Sequence, residues 1–142
     1  MKIDDIKIQL EKDKKIDQTQ LDVESLKIPE QAVKYQQMAH DEALRLRFLE
    51  KEYNVARFNR WTYYMGKADP AVYDKEPFDH KVLKADINIY LDSDLILNEV
   101  RDRIIAQTEK LKLVVEAGKV MQNKSFNIKN ELEHQKFMGG AF

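Results

Sequence analysis

One stretch of this chain constrains its fold more than any other, because from Glu30 to about Met65 it contains no glycine and no proline. Ten positions within it alternate three and four residues apart, and eight of the ten are apolar or aromatic. These positions hold Ala32, Tyr35, Ala39, Glu42, Leu46, Leu49, Tyr53, Ala56, Arg60 and Tyr63. This heptad-like seam predicts a long amphipathic helix, on the order of 50 Å at about 1.5 Å per residue. Such a helix must bend or find partners beyond its own chain.

The composition favours helices along the whole chain. Of 142 residues, 35% are charged, and only four are glycine and three proline. A β-sandwich needs many glycine and proline turns, so we predict an all-α fold in a single domain over residues 1–142. No uncharged run exceeds six residues, as in 61–66, and this is too short to span a bilayer. We therefore expect no membrane partner.

The charge balance and the missing cysteines exclude several classes of protein. The net charge is −1, so a surface that binds anions must arise from local clustering of cations. With no cysteine, the chain has no disulfide, thiolate metal site, iron–sulfur cluster or cysteine nucleophile. We expect no cofactor.

The N-terminal half is predicted as two helices joined by a link. Residues 3–12 have apolar spacing typical of a short helix, residues 13–20 are polar, and residues 21–28 are ambiguous. Pro29 suits the first turn of the long helix, where its missing N–H costs nothing. Gly66 is predicted to end that helix.

The segment after Gly66 is harder to assign. Residues 67–80 contain two prolines and several acidic residues, which predicts a loop. Residues 82–91 alternate apolar and polar side chains like a strand, yet they also fit one face of a helix. Because a lone strand would have no partner in this chain, we favour a helix starting after Pro77 and keep a short strand as the alternative.

The C-terminal region is predicted as two helices. Asp92–Asp94 indicates a helix break and a new N-cap, after which a helix runs to about Gln122. A turn at 123–125 and a final helix over 126–138 follow, ended by two glycines. The first of these helices has a second seam, which indicates either core packing or an oligomer contact. Its positions are Leu97, Val100, Ile104, Gln107, Leu111, Val114, Gly118 and Met121.

Residues 45–67 form the segment most suggestive of function. Six basic and two acidic residues give it a net charge of +4, and it holds the only tryptophan. On a helix, residues 57, 60, 64 and 67 share one face, with Trp61 on the flank. Arginines that meet phosphates, next to rings that stack on bases, are typical of single-strand binding. The candidate residues are Arg45, Lys51, Arg57, Arg60, Trp61, Tyr63, Tyr64 and Lys67.

A structural interpretation of the same segment stands beside this one. Trp61 and Tyr63 could pack against a neighbouring helix, and Arg60 could pair with an acid of the 69–79 loop. Signals for an enzyme are weak, since no nucleotide loop or zinc-protease motif occurs. A lone Glu131-x-x-His134 is half of a di-iron ligand set and is more simply a solvated helix face.

Two stretches together resemble the UvsY-type recombination mediators of T-even-type tailed bacteriophages. The sequence Arg60-Trp-Thr-Tyr-Tyr-Met-Gly-Lys67 is similar to that family's Arg-x-x-Tyr-Tyr-x-Gly at the end of its long helix. The block Ser125-Phe-Asn-Ile-Lys129, followed by Phe137-Met-Gly139, is similar to the family's C-terminal Gly-Phe-x-Ile-Lys block. Two departures are Phe58, where a basic residue is expected, and Ser125 in place of glycine.

The resemblance implies a small, helical, non-enzymatic protein of the infected bacterial cytoplasm. Its partners would be single-stranded DNA, a single-strand-binding protein and a RecA-like recombinase that it helps to load. The resemblance also implies a homo-oligomeric ring of six or seven subunits. It places DNA binding in residues 1–67, a loop and short element in 68–93, and oligomerisation in 94–142. The expected oligomerisation residues are Leu97, Val100, Ile104, Leu111, Val114, Phe126, Ile128 and Leu132.

The alternative function is that of a helical oligomeric adaptor that binds a protein partner through its long helix and does not bind DNA. A near-zero net charge suits it equally well. Salt-dependent binding of a single strand distinguishes the two functions.

Overall fold

The structure, a computed structural model, describes residues 1–140, and within them it contains helices and no strand. This confirms the all-α fold class. The helices are α1 (Ile3–Asp13), α2 (Leu21–Tyr64), α3 (Pro70–Lys75), α4 (Ile87–Asp92) and α5 (Leu95–Met138). No helix of the described residues is long and apolar enough to cross a membrane.

The chain divides into two compact units, and α2 and α5 contribute to both. Unit 1 comprises Met1–Ala43 and the chain from Glu109 onward. Unit 2 comprises Leu44–Thr108. The predicted division into functional regions follows other boundaries, and the functions assigned to those regions remain predictions.

The predicted seam of α2 is the buried side of that helix. None of its ten positions is exposed, including the charged Glu42 and Arg60. In unit 1, Tyr35 packs with Ala117 and Met121 of α5 in a core cluster. In unit 2, the guanidinium of Arg101 on α5 donates to the Tyr53 hydroxyl at 2.8 Å. In each unit, α5 of the same chain thus covers the seam.

A buried polar network fixes α1 and α2 of unit 1 against α5. The Lys124 ammonium donates to the Asp13 carbonyl oxygen at 2.8 Å and to Gln31 Oε1 at 3.1 Å, and it lies 3.3 Å from Glu24 Oε2. The Asp13 carboxylate accepts from Lys34 and, at 2.8 Å, from the Tyr35 hydroxyl. Burial would raise the pKa of Asp13, but these two hydrogen bonds and the charges of Lys34 and Lys124 together lower it.

The expected start of α2 at Pro29 was wrong, because the helix begins at Leu21 and Pro29 lies inside it. An internal proline removes one backbone hydrogen bond and costs roughly 3 kcal/mol. Tertiary contacts of the preceding turns offset this cost. Leu21 is buried, and the buried Glu24 pairs with Lys124.

The expected turn at 123–125 was also wrong, since α5 continues through it to Met138. Local propensity favours a turn at Asn123 and Ser125, but Lys124 between them is only 2% exposed and is fixed by its three partners. Ser125 keeps its hydroxyl within the helix by donating to the Gln122 carbonyl oxygen.

The segment between α2 and α5 also differs from expectation. The predicted loop 67–80 contains α3, whose N-cap Asp69 accepts a hydrogen bond from the Ala71 amide at 3.0 Å. An N-cap aspartate followed by a proline is a local signal for the start of a helix. Residues 82–91 form no strand and become α4 only from Ile87.

Two glycines make a matched pair of stability predictions. Gly66 ends α2 with φ of 74°, and the Lys67 amide bonds back to the Thr62 carbonyl oxygen. Gly66→Ala should lower the free energy of unfolding by about 1–2 kcal/mol, because L side chains rarely adopt this conformation. Gly118→Ala should raise it by about 0.5–1 kcal/mol, since Gly118 lies inside α5 and the added methyl would be 3.9 Å from Tyr35 Cβ. Urea unfolding measures both, and shifts of equal sign would contradict this account.

Candidate nucleic-acid interface

The guanidinium of Arg60, on the buried side of α2, is held between two carboxylates of unit 2. Its Nε donates to Asp94 Oδ2 at 2.6 Å, and its terminal nitrogens donate to the Glu76 carboxylate at 3.1 Å. The Arg60 side chain is 11% exposed and that of Asp94 only 2%. The alternative prediction, an ion pair between Arg60 and an acid of the 69–79 loop, is therefore confirmed. We call Arg60, Glu76, Asp94 and Tyr64 the clasp.

Asp94 connects the clasp to α5, because it is also the N-cap of that helix. Its Oδ1 accepts from the Leu97 amide at 2.9 Å, while its Oδ2 accepts from the Tyr64 hydroxyl at 2.6 Å. The predicted N-cap at this position is confirmed. Burial would raise the pKa of Asp94, but hydrogen bonds from Tyr64, Leu97 and Arg60, together with the charge of Arg60, lower it. Asp94 is thus a carboxylate at neutral pH.

Tyr63 and Tyr64 belong to an aromatic cluster within unit 2. Tyr63 is 3% exposed, stacks on Tyr73 at 5.3 Å, and donates to the Glu76 carbonyl oxygen at 2.9 Å. Tyr64 contacts Phe78 and Tyr90 edge-on or tilted. The contacts of Arg60, Tyr63 and Tyr64 are internal, so a DNA-binding role for these three residues stays a prediction that their geometry does not favour.

The opposite side of α2 presents cations and rings to solvent. Positions 47, 51, 54, 58 and 61 succeed one another at spacings of four and three, so they lie along one helix face. Residue 57 lies at the edge of this face, and Lys67 reaches it from the turn after α2. We call this surface the outer face and define it by Arg47, Lys51, Arg57, Phe58, Trp61 and Lys67.

The cations of the outer face are available for a ligand. Arg47, Lys51 and Arg57 are exposed and make no hydrogen bond or ion pair with any residue from 1 to 140. The Lys67 ammonium lies 5.1 Å from the centroid of the Trp61 ring, a cation–π contact that leaves its N–H groups to solvent. One acid, Glu50, is exposed on the same side of the helix. The outer face therefore has an excess of positive charge. This excess does not depend on Arg60, whose charge is neutralised in the clasp.

The structure thus separates the predicted DNA-binding residues into groups. Lys51, Arg57, Trp61 and Lys67 lie together on the outer face. Arg45 lies across the helix from it, beside an apolar depression lined by Leu44, Phe48, Leu49 and Gln107.

Sequence reasoning missed Arg47 and Phe58 on the outer face. The signal was present, because both residues lie opposite the apolar seam on a helix of 3.6 residues per turn. Ranking residues by distance from the seam would have found them.

The eight predicted oligomerisation residues also separate. Leu97, Val100, Val114 and Ile128 are at most 5% exposed within this chain, so packing in their own units accounts for them. Ile104 and Leu111 are half-buried. Phe126 and Leu132 are 67% and 41% exposed, and a role for these two in self-association stays a prediction.

Among residues 1–140, no three histidine, aspartate or glutamate side chains cluster closely enough to hold a metal ion. His134 is exposed on α5, as expected for a solvated helix face.

The fold and the outer face describe an all-α protein with exposed cations beside the exposed Phe58 and half-buried Trp61 rings, at the end of a long helix. Cations beside aromatic rings are the combination that proteins use to bind single-stranded nucleic acid. The chain belongs to the UvsY family, described as "Recombination, repair and ssDNA binding protein UvsY", whose profile matches residues 9–141.

Solved structures show the same fold. A crystal structure of the bacteriophage T4 recombination mediator protein UvsY, in lattice type IV, is 22% identical with a TM-score of 0.85. The match covers 96% of this chain and 99% of that one. A second crystal structure of that protein, in lattice type II, is 21% identical with a TM-score of 0.85, covering 98% of each chain. The comparison with curated protein sequences gave no match.

Proposed function

We propose that this protein is a non-enzymatic mediator that binds single-stranded DNA and helps load a RecA-like recombinase onto strands covered by single-strand-binding protein. The observation that carries the proposal is the family match over residues 9–141, together with an outer face of four cations and two rings. It would act by binding the strand and displacing the single-strand-binding protein.

The charge of one outer face supports only weak binding by a single subunit. Four cations can meet only a few phosphates, and the release of counterions that drives such contacts weakens steeply with salt. A ring of six or seven copies would repeat the face and raise avidity by orders of magnitude without new contacts. The exposed Phe126 and Leu132 support this self-association.

The proposed mechanism follows from several weak attachments around a ring. A strand held at several outer faces would be bent or wrapped, which would loosen the resident single-strand-binding protein. The recombinase would then meet exposed DNA. Because the rings of the outer face need unpaired bases to stack on, duplex DNA should bind less well than a single strand.

Removal of two cations from the outer face should weaken binding in a way that salt reveals. Lys51→Ala with Arg57→Ala should lower affinity for a labelled single strand and reduce the salt slope by about 1.4, since each phosphate contact contributes about 0.7. Fluorescence anisotropy at several salt concentrations measures both quantities, and light scattering reports the assembly size.

The matched control is Lys81→Ala with Lys84→Ala, which removes the same charge from exposed positions between α3 and α4. This control should retain the wild-type salt slope. Equal effects of the two double variants would remove the outer face from the proposal. Wild-type protein should also shorten the delay before a RecA-like recombinase hydrolyses ATP on a coated strand. No binding even at low salt by an assembled protein would favour the adaptor function.

A further inference from the structure

We propose that Phe58 and Trp61 form one stacking platform for neighbouring bases of a single strand, an inference that rests on the proposed DNA-binding function. The two rings are nearly parallel, with 22° between their planes and 6.3 Å between centroids. As a stacked pair they form one continuous aromatic surface, of which Phe58 is the more exposed part. Planar bases of any sequence stack on such a surface.

Phe58 differs from the other aromatic residues of the helix end in facing solvent. Tyr63 and Tyr64 contact further rings of unit 2, whereas Phe58 contacts only Trp61 among the aromatic residues of 1–140 and is 65% exposed. A single exposed apolar side chain is ordinary. Its parallel neighbour and the surrounding cations are what mark this one as a ligand surface.

The cations lie where the phosphates of a stacked strand would pass. Arg57 is adjacent to Phe58 in sequence and one helical turn before Trp61. Lys51 precedes Phe58 by two turns, and the Lys67 ammonium lies beside the Trp61 ring at 5.1 Å from its centroid. The rings would contact the bases of a strand while these three side chains contact its phosphates. Both sets of contacts could therefore form at the same time.

A second copy of the chain is the other candidate to cover these rings, because Leu44, Phe48 and Val55 are exposed on the adjoining side of α2. Charge argues against it. Two copies joined through this face would bring Arg47, Lys51 and Arg57 of each copy together, and like charges at an interface are costly. A polyanion instead neutralises them.

The test compares strands that carry the same phosphates with and without bases. An oligo(dT) strand and an abasic strand of equal length are titrated with the full-length wild-type protein, Phe58→Leu and Phe58→Tyr. Wild type should prefer oligo(dT), and the fluorescence of Trp61, the only tryptophan, should be quenched by oligo(dT) alone.

Phe58→Leu keeps an apolar side chain but removes the ring. We expect it to lower oligo(dT) affinity by about 5- to 150-fold, the equivalent of one lost base stack, with abasic binding and the salt slope unchanged. Phe58→Tyr keeps the ring and should retain wild-type affinity. The exposed position makes both variants compatible with folding, which circular dichroism checks.

The outcomes separate this inference from the function on which it rests. Salt-sensitive binding that is equal for oligo(dT) and abasic strands, or unchanged in Phe58→Leu, would overturn the platform and leave the proposed function standing. No strand binding at low salt would overturn both. A smaller assembly for Phe58→Leu in light scattering would overturn the platform in favour of a second copy at this surface.

Discussion

Arg60→Ala should lower the free energy of unfolding by about 3–5 kcal/mol, the cost of leaving one member of a buried ion pair without its partner. Asp94 would keep its negative charge in a site where its side chain is 2% exposed. Asp94 is also the N-cap of α5, because its carboxylate accepts a hydrogen bond from the Leu97 amide. The loss of Arg60 would therefore also weaken the first turn of that helix. Urea unfolding followed by Trp61 fluorescence, at one protein concentration, measures the change.

Arg57→Ala is the matched control for this prediction. Arg57 carries the same side chain three residues earlier, is exposed, and has no ion pair within residues 1–140. Its removal should change stability by no more than about 0.5 kcal/mol. If Arg60→Ala were as stable as wild type and yet bound single strands poorly, Arg60 would be a phosphate ligand, and the clasp would not be its main role.

Lys124→Met should lower the free energy of unfolding by a similar amount, about 3–5 kcal/mol. Lys124 is 2% exposed and its ammonium satisfies Glu24, Gln31 and the Asp13 carbonyl oxygen. Methionine fills comparable volume, so the loss would come from unpaired polar groups more than from a cavity. Far-UV circular dichroism during urea unfolding measures the change.

Two comparisons make the Lys124 prediction specific. Lys119→Met removes an exposed lysine that pairs with Glu116 on the same helix, and it should change stability by no more than about 0.5 kcal/mol. In Lys124→Met the buried Glu24 carboxylate would keep only the half-exposed Lys27 as its partner. Glu24→Gln combined with Lys124→Met removes that carboxylate and should recover part of the loss. A double variant no more stable than Lys124→Met would show that Glu24 is not the partner that matters.

The clasp and the Lys124 network show why sequence patterns predicted the presence of the helices more accurately than the residues at which they begin and end. The seam periodicity located the buried side of α2 along ten positions, because burial of one helix face repeats every 3.6 residues. The start of α2 and the continuity of α5 at 123–125 depend on Glu24 and Lys124, which lie 100 positions apart in the chain. A pattern of neighbouring residues cannot predict a contact between residues so far apart in the sequence.

The candidate site divides in the same way. Charge and aromatic content picked out segment 45–67, and four predicted ligands lie together on the outer face. The sequence left two roles open for Arg60, because an arginine in a basic segment resembles a phosphate ligand until its carboxylate partners are known. Glu76 and Asp94 lie 16 and 34 residues away and become its partners only through folding.

The sequence alone determined the all-α class, the seam of α2, its end at Gly66 and the cap at Asp94, because helix periodicity and capping are encoded within a few neighbouring residues. Only the tertiary structure decided which cations face solvent and which are neutralised, where Pro29 lies in its helix, and that α5 has no turn at Lys124. Those outcomes depend on pairs of charges that fold together from distant positions. The free energy of burying a charge without its partner exceeds that of burying it with its partner. This difference is large enough to override local helix propensity.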